Sequence, residues 1–450
     1  MARYEIIIEL QTPLLAGEPR QGNSYSSFSY LPGSVLRGAV AEQLMAAWTP
    51  EERQVSHPEA CLNPQTCAFC QVLGLDDADA PRFSDCYPIW LESDELYLFP
   101  LTAKTCKRHG GFKEPDAIEA RHGIQDTLIR LVAARDAQQA HPARSYIYTA
   151  NCAECGEALT GPGVNHYGRS AQTFYLANPQ NRRFSRTAIN RQRHTAQHGQ
   201  LFTLGVMGEQ TRLSVPDYES VTTRLKGTIE SGNAPEQLLE QTVKQIGWLG
   251  SGTSRGLGQV SHVTLRKIEA PIGQKPLSAY GELLANDRYA EILSDTAVPA
   301  LVQRIAAFNQ EVANERTFYK ALGMDQVLSG SWYFTVDLQA DAYVRQSGLP
   351  TLHLTPEMLQ LPHAISDFVA AEAVERGGWS TAWGLPLPRQ LGIARGSTFL
   401  FRVENNSSDI ANQLLNRLDQ LEQEGIGADR GRGAGRLLIC APFHTEVNPK

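Results

Sequence analysis

The sequence predicts an α+β fold in which one βαββαβ unit occurs twice in tandem. Three observations carry that prediction. RGLGQV at residues 255–260 is answered by RGAGRL at 432–437. Each copy follows an amphipathic helical pattern and precedes an apolar strand pattern. Each half also opens on a strand pattern, MARYEIIIEL and SWYFTVDLQA. The order strand, helix, strands, helix, strand therefore reads twice, a ferredoxin-like arrangement.

Tyr4–Leu10 is an apolar run suited to a strand buried on both faces. A Pro32-Gly33 turn follows, and Ser34 is placed to cap the next helix. In that helix Leu36, Val40, Leu44 and Trp48 recur at spacing four on one face. Over about 51–165 periodicity weakens while Pro, Cys and Asp become frequent, which reads as an insertion held by a metal rather than by a large core. Within it RFSDCYPIWL (82–91) and ELYLFPL (95–101) read as strands of the main sheet. A helix over 235–248 puts Leu239, Val243 and Ile246 on one face, then runs into GSGTSRGLGQ and the strand VSHVTLRKI. The helical stretch over 278–323 shows no clear counterpart and reads as a linker or docking element.

The second unit opens with Trp332, Phe334, Val336 and Leu338 alternating with more polar neighbours. A helix is predicted over 355–374, then a strand with Phe399, Phe401 and Val403 on one face. A helix over 408–423 follows, with Ile410, Leu414, Leu418 and Leu421 on one side, then GIGADRGRGAGR and the strand LLICAPF. The expected division is a first module over 1–275, a helical region over 276–328 and a second module over 329–450.

The composition, 42% apolar and 20% charged, is that of a globular protein. No uncharged apolar run is long enough to span a bilayer, and the start lacks a basic segment leading into an apolar core. The expectation is a cytoplasmic protein without membrane partners. A net charge of −7 excludes a chain that coats nucleic acid over its whole surface. A basic groove on an acidic body remains open, because binding depends on where charge sits. Residues 182–194 hold five arginines and no acid, and residues 104–113 hold four cationic residues and no acid.

The loop at 425–436 has five glycines and three arginines in twelve residues. Glycine admits positive φ and close ligand approach. Arginine offers a planar fork matched to phosphate oxygens, and tight glycine turns form amide nests for anions. The order helix–glycines–strand is opposite to that of a dinucleotide fingerprint, and GxxxxGK[ST] is absent from the sequence.

Eight cysteines in a chain of 450 residues are not a secreted disulfide framework. Cys67 and Cys70 form one C-x-x-C, and Cys152 and Cys155 another. Together they supply the four thiolates of a closed, tetrahedral structural zinc site, with Cys61 a competing ligand and His57 a weaker one. A closed site argues against metal catalysis. Cys86, Cys106 and Cys440 are expected in the core.

LPGSVLRGAV after a first strand, RFSDCYP, RTAINRQRHTAQHGQLF and the helix-to-strand glycine loops resemble the RAMP superfamily of CRISPR RNA-binding proteins. The tandem arrangement, the cysteine-bearing insertion and GWSTAWGLPLPRQLGIARGSTFLF resemble the large double-RAMP subunit of type III-D effector complexes. That resemblance implies a subunit that holds the 5′ handle of a CRISPR guide RNA among other type III effector subunits, the large signature subunit and backbone RAMP subunits. Carried onto this chain, it implies RNA contacts from Ser34, Arg37, Arg186, Arg191, Arg255, Gly256, Gly258, Arg430, Arg432, Gly433 and Gly435. Tyr25, Phe28, Tyr30, Trp379 and Trp383 are candidates for base stacking. Residues 11–31 hold no Asp and only Glu18 as an acid, which departs from relatives that cut target RNA. The rival expectation is a metal-independent endoribonuclease for repeat RNA using His194 and His198 as general acid and base.

Overall fold

The structure, a computed structural model, describes residues 2–17, 23–46, 61, 63, 65–73, 80–113, 121–140, 151–170, 173–213, 220–269, 271, 273–321, 331–380, 385–404 and 407–446. It is a mixed α+β chain with several sheets. Among the described residues no helix is long and apolar enough to cross a membrane.

Strand β1 (Arg3–Leu10) is buried on both faces through Ile6, Ile7 and Ile8. Helix α1 (Gly33–Ala46) buries Leu36, Ala39, Val40 and Leu44 against it, while Trp48 lies outside the described residues. The helix starts one residue before the expected cap. The Gly33 amide donates to Asp85 Oδ1 at 2.8 Å, so a carboxylate from elsewhere in the chain caps the helix and Ser34 stands exposed in its first turn.

RFSDCYPIWL supplies β2 (Arg82–Phe83) and β3 (Tyr87–Ile89). ELYLFPL does not join them. Its strand β4 (Glu95–Leu98) lies in a smaller sheet. At the edge of the main sheet Arg82 of β2 donates to the Gln423 carbonyl of the second half. A second small sheet holds β5 (Ala103–Cys106), β6 (Ile124–Asp126) and β7 (Leu159–Thr160) in the order β6-β5-β7. The partners of β4 are β8 (His166–Ser170) and, beyond it, β9 (Thr173–Tyr175).

A long antiparallel hairpin follows, β10 (Ala177–Asn190) and β11 (Thr195–Leu213). At the usual rise per residue its first arm is roughly 45 Å long. The chain then returns through β12 (Arg224–Glu230), α2 (Glu236–Lys244) and β13 (Val260–Ile268). The first sheet runs β13-β1-β12-β2, with β3 also on β12, all antiparallel.

Helix α3 (Ala300–Ala321) packs Val302, Ile305 and Phe308 into the core of the second half. Strand β14 (Trp332–Leu338) is fully buried there. The helix expected over 355–374 is one turn only, Pro356–Leu359, stopped by Gln360 and His363 at φ +56° and +61°. Ala364–Ala370 is instead strand β15. Pairing with a strand distant in sequence overrides the local helical spacing. A second hairpin, β16 (Ala373–Ser380) and β17 (Leu385–Ile393), precedes β18 (Thr398–Val403), α4 (Ser408–Glu424) and β19 (Leu437–Ile439). The order here is β15-β18-β14-β19. Counted by position within each half, both main sheets place their first strand between the third and the fourth.

Candidate nucleic-acid interface and metal-ligating groups

The two glycine loops superpose hydrogen bond by hydrogen bond. In the first, a 3-10 turn at Thr253–Arg255 lies between Gly252 and Gly256, both at positive φ. In the second, Arg430–Arg432 lies between Asp429 and Gly433, again both at positive φ. Leu249 N donates to Gly258 O at 2.8 Å, matched by Ile426 N to Gly435 O at 2.9 Å. Gly258 N donates to Pro13 O at 2.8 Å, matched by Gly435 N to Asp341 O at 2.9 Å. The amides of Gly256 and Gly433 close their own 3-10 turns at 3.0 Å each. These four amides are spent inside the fold and form no open nest, which corrects the expectation that they grip phosphate. The glycines shape the loops, and Arg255 and Arg432 are left exposed on them.

The loops differ in their surroundings. A Cβ on Gly256 would meet nothing within 4 Å. On Gly433 it would lie 2.2 Å from the Phe83 carbonyl oxygen, and on Gly33 1.9 Å from the same oxygen and 3.1 Å from Arg432 O. The second loop is thus seated on the start of α1, and only glycine permits the approach. That seat sets the Arg432 backbone against Gly33, the residue before Ser34. Arg430 Nη1 donates to the Glu424 carbonyl at 3.3 Å, and Arg432 faces Asp429 at 3.7 Å with its side chain 44% exposed. Arg37 is half-buried and donates to the Leu73 carbonyl at 3.3 Å.

The basic stretch 182–194 forms the outer part of the β10–β11 hairpin. Arg182 pairs with Glu209 at 2.7 Å. Arg183, Arg191 and Arg193 are exposed, and Arg186 is half-buried. Asn190 Oδ1 accepts from the amides of Gln192 and Arg193 and sets the tip turn. Ile189 on the first arm and Leu201 on the second stand 65% and 62% exposed. His194 is exposed at the tip with φ +51°; the side chain of His198, on β11, lies outside the described residues. The structure therefore brings no described partner to His194 that would orient it for proton transfer.

The halves are joined by a buried polar cluster that sequence reasoning missed. Arg395 donates from Nη1 to Asp85 Oδ2 at 2.7 Å and to the Tyr87 hydroxyl at 2.6 Å, and from Nε to Asp341 Oδ1 at 3.0 Å. Its guanidinium lies 4.1 Å over the Tyr30 ring, and Arg376 lies 4.9 Å over Phe28 while pairing with Asp341 at 2.9 Å. Tyr30 and Phe28 are therefore packed against this junction rather than offered to bases. Tyr25 is half-buried, Trp383 lies outside the described residues, and so does the side chain of Trp379. The available signal was Asp85 inside RFSDCYP and Arg395 inside the second conspicuous motif, far apart in sequence but both flanked by apolar strands.

The cysteines divide differently from the expected pairing. Cys67 and Cys70 lie at the start of the helix Ala68–Leu73, which packs on the α1 core, and their near neighbour is Cys61. Cys152 and Cys155 lie on a turn beside β5 and β7, grouped with Cys106 and His122. The two C-x-x-C pairs thus belong to different layers and do not share one site. Cys86 and Cys440 are core residues, whereas Cys106, though buried, is a member of a metal-ligating group. Either group has donors that could bind a metal.

A search of curated protein sequences returns no match. Among solved structures the chain is similar to a chain of type III-B Cmr-beta bound to cognate target RNA, at 11% identity over 97% of this chain and 96% of that one, TM-score 0.37. It is similar to one in the same assembly with AMPPnP, at 10% identity over 95% and 90%, TM-score 0.36. It is also similar to the Csm3–Csm4 subcomplex of a type III-A CRISPR-Cas interference complex, at 9% identity over 89% and 92%, TM-score 0.31. The RAMP superfamily model matches residues 7–261, more than half of the sequence, taking in α1, strands β2, β3 and β12 of the first sheet and the first glycine loop. The chain belongs to the RAMP superfamily.

Proposed function

We propose that this protein is a non-catalytic CRISPR guide-RNA-binding subunit of a type III effector complex, of subtype III-D, with zinc as a structural cofactor. In this reading residues 1–275 and 329–450 are two ferredoxin-like modules, 51–165 is an insertion in the first, and 276–328 is a helical linker or docking region. The observation that carries it is the seat of the Arg430–Gly433 turn on the Gly33–Ser34 start of α1, which puts exposed arginine and an exposed helix start from opposite halves side by side. Arg255 is exposed on the matching turn of the open loop, and the arginines of the long hairpin add cationic charge to an otherwise acidic body. The 5′ handle of the guide is the RNA this subunit holds, and other type III subunits are its protein partners.

Arg255→Ala and Arg432→Ala are each expected to weaken guide-RNA binding by about 1–3 kcal/mol and to lower the salt slope by about one contact. Filter binding across a salt series measures both. Unchanged affinity and slope in both variants would remove the loops from the interface. Co-expression with neighbouring subunits is expected to recover small RNAs sharing one repeat-derived end. Metal-free scission of repeat RNA by the purified chain, lost in a His194→Ala/His198→Ala variant, would replace this reading with an endoribonuclease.

A further inference from the structure

We propose that Cys106, His122, Cys152 and Cys155 bind one structural zinc ion that staples the small sheet of β5, β6 and β7. The four ligand atoms lie within 4.8 Å of one another. Cys106 Sγ and Cys155 Sγ are 3.6 Å apart, and His122 Nδ1 is 3.2 Å from Cys152 Sγ. Bonds of about 2.3 Å to sulfur and about 2.0 Å to nitrogen give a tetrahedron with edges of about 3.8 Å between sulfurs and about 3.5 Å between sulfur and nitrogen. The observed separations sit close to those edges. Cys106, His122 and Cys152 line a cavity of about 70 Å³.

The surroundings are those of a metal centre as well. The far ring nitrogen of His122, Nε2, faces Glu154 at 3.7 Å, and Lys113 holds that carboxylate at 2.5 Å. A carboxylate on that side favours a proton on Nε2, which leaves Nδ1 as the ligand atom, although 3.7 Å is an ion-pair and not a hydrogen-bond distance. The His109 amide donates to Cys106 Sγ at 3.4 Å. Cys152 and Cys155 sit on a tight turn. Gly156 N donates to Cys152 O at 2.9 Å, Gly156 is at φ +74°, and Cys152 N donates to Glu157 O at 2.8 Å. Both thiols are thereby turned toward β5. Three sulfurs and one imidazole close the coordination shell, so the chemistry is that of a fold-holding zinc rather than a catalytic one.

The region needs such a staple. Among the described residues its apolar cluster has six buried members, Phe99, Ala103, Phe112, Ile124, Tyr167 and Phe443. The metal would join the end of β5, through Cys106, to the lead-in of β6, through His122, and to the turn before β7. Strand β6 then carries Asp126 to the second half, where it meets His444 at 3.0 Å. The assignment is independent of the RNA reading.

The test uses the full chain purified under reductant. Elemental analysis of the wild type is expected to find zinc, and Cys152→Ser/Cys155→Ser is expected to lose one equivalent that Cys67→Ser retains. Because the double variant can fail to fold, the Cys155→His variant provides the second arm. Cobalt-loaded wild type should show the visible absorption of a tetrahedral site with three thiolates and one imidazole. Cys155→His should keep its metal, with those bands shifted to those of two thiolates and two imidazoles. Wild type without metal overturns the proposal. So does an unchanged metal content in the double variant, a cobalt spectrum indifferent to Cys155→His, or a Cys106–Cys155 disulfide found by mass spectrometry.

Discussion

Replacing His444 with glutamine is expected to destabilise the protein by about 3–5 kcal/mol, because it strips the cation from between two buried carboxylates. The ring has no exposure. Nδ1 donates to Asp126 Oδ2 at 3.0 Å and Nε2 donates to Asp337 Oδ1 at 3.1 Å, so both nitrogens carry protons. Asp337 is further held by the hydroxyls of Thr335 and Thr398 and by the Ala441 amide. Burial by itself favours the neutral ring; the charges of Asp337 and Asp126 outweigh it and push the pKa from 6.5 up to about 10. Burial likewise opposes the Asp337 charge, and His444 overcomes it, leaving that pKa lowered.

The sign of the pH dependence follows. A raised histidine contributes stability that is complete below its ordinary pKa of 6.5 and is lost as pH climbs toward about 10. The Asp337 contribution is lost in the opposite direction, as pH falls through its depressed pKa. Urea midpoints of the wild type should therefore fall between about pH 7 and pH 10. His444→Gln should lack that decline and gain stability on mild acidification, as Asp337, buried and stripped of its cation, takes up a proton. A wild-type midpoint that stays level across the alkaline range would mean that the buried ring is neutral.

Arg395→Ala is expected to cost a similar amount, about 3–5 kcal/mol, and to abolish RNA binding although the residue is buried. The side chains of Arg395, Asp85 and Asp341 are 8%, 9% and 7% exposed, so removal of the guanidinium strands the Asp85 carboxylate in the interior and leaves Asp341 with Arg376 alone. Burial tends to raise both acids. Arg395 and Arg376 together hold Asp341 down at about 2, whereas Asp85, with Arg395 alone as its cationic partner in the cluster, stays raised. Asp85 also caps α1 through the Gly33 amide, so its release moves the helix start on which the second arginine loop sits. Arg395→Lys keeps the charge but loses the fork and should fall between wild type and alanine. Thermal melting and RNA titration measure the two effects. A double variant, Arg395→Met/Asp85→Asn, should be less harmful than Arg395→Ala, since it removes charge from both sides of one contact. Equal losses in the two would place the damage in packing instead of electrostatics.

Much of the scaffold could be read from spacing alone. β1, α1, α4 and β14 each bury one or both faces, and that burial imprints apolar periods on the residues. The repeated loops were legible for a related reason. Their backbone needs positive φ at matching places, which selects glycine in both copies. The long hairpin was not legible, because its outer arm 183–190 alternates only between exposed and half-buried positions, and its residues carry no apolar–polar alternation to match. The strand at 364–370 was mistaken for helix because its pairing partner lies some thirty residues later, at Thr398–Val403.

The residue chemistry divides along the same line. Local sequence determined which side chains were available: arginines on glycine turns, two C-x-x-C pairs, a basic stretch. It also determined the short turns that present them, since hydrogen bonds between near neighbours suffice to form those turns. Tertiary structure alone decided the company each one keeps. It seated one arginine loop on α1 and left the other open, parted the cysteine pairs into separate layers, and set Arg395 and His444 each between two acids. Such choices rest on contacts across hundreds of residues, where burial removes water and makes charge pairing compulsory, and no local pattern along the chain records them.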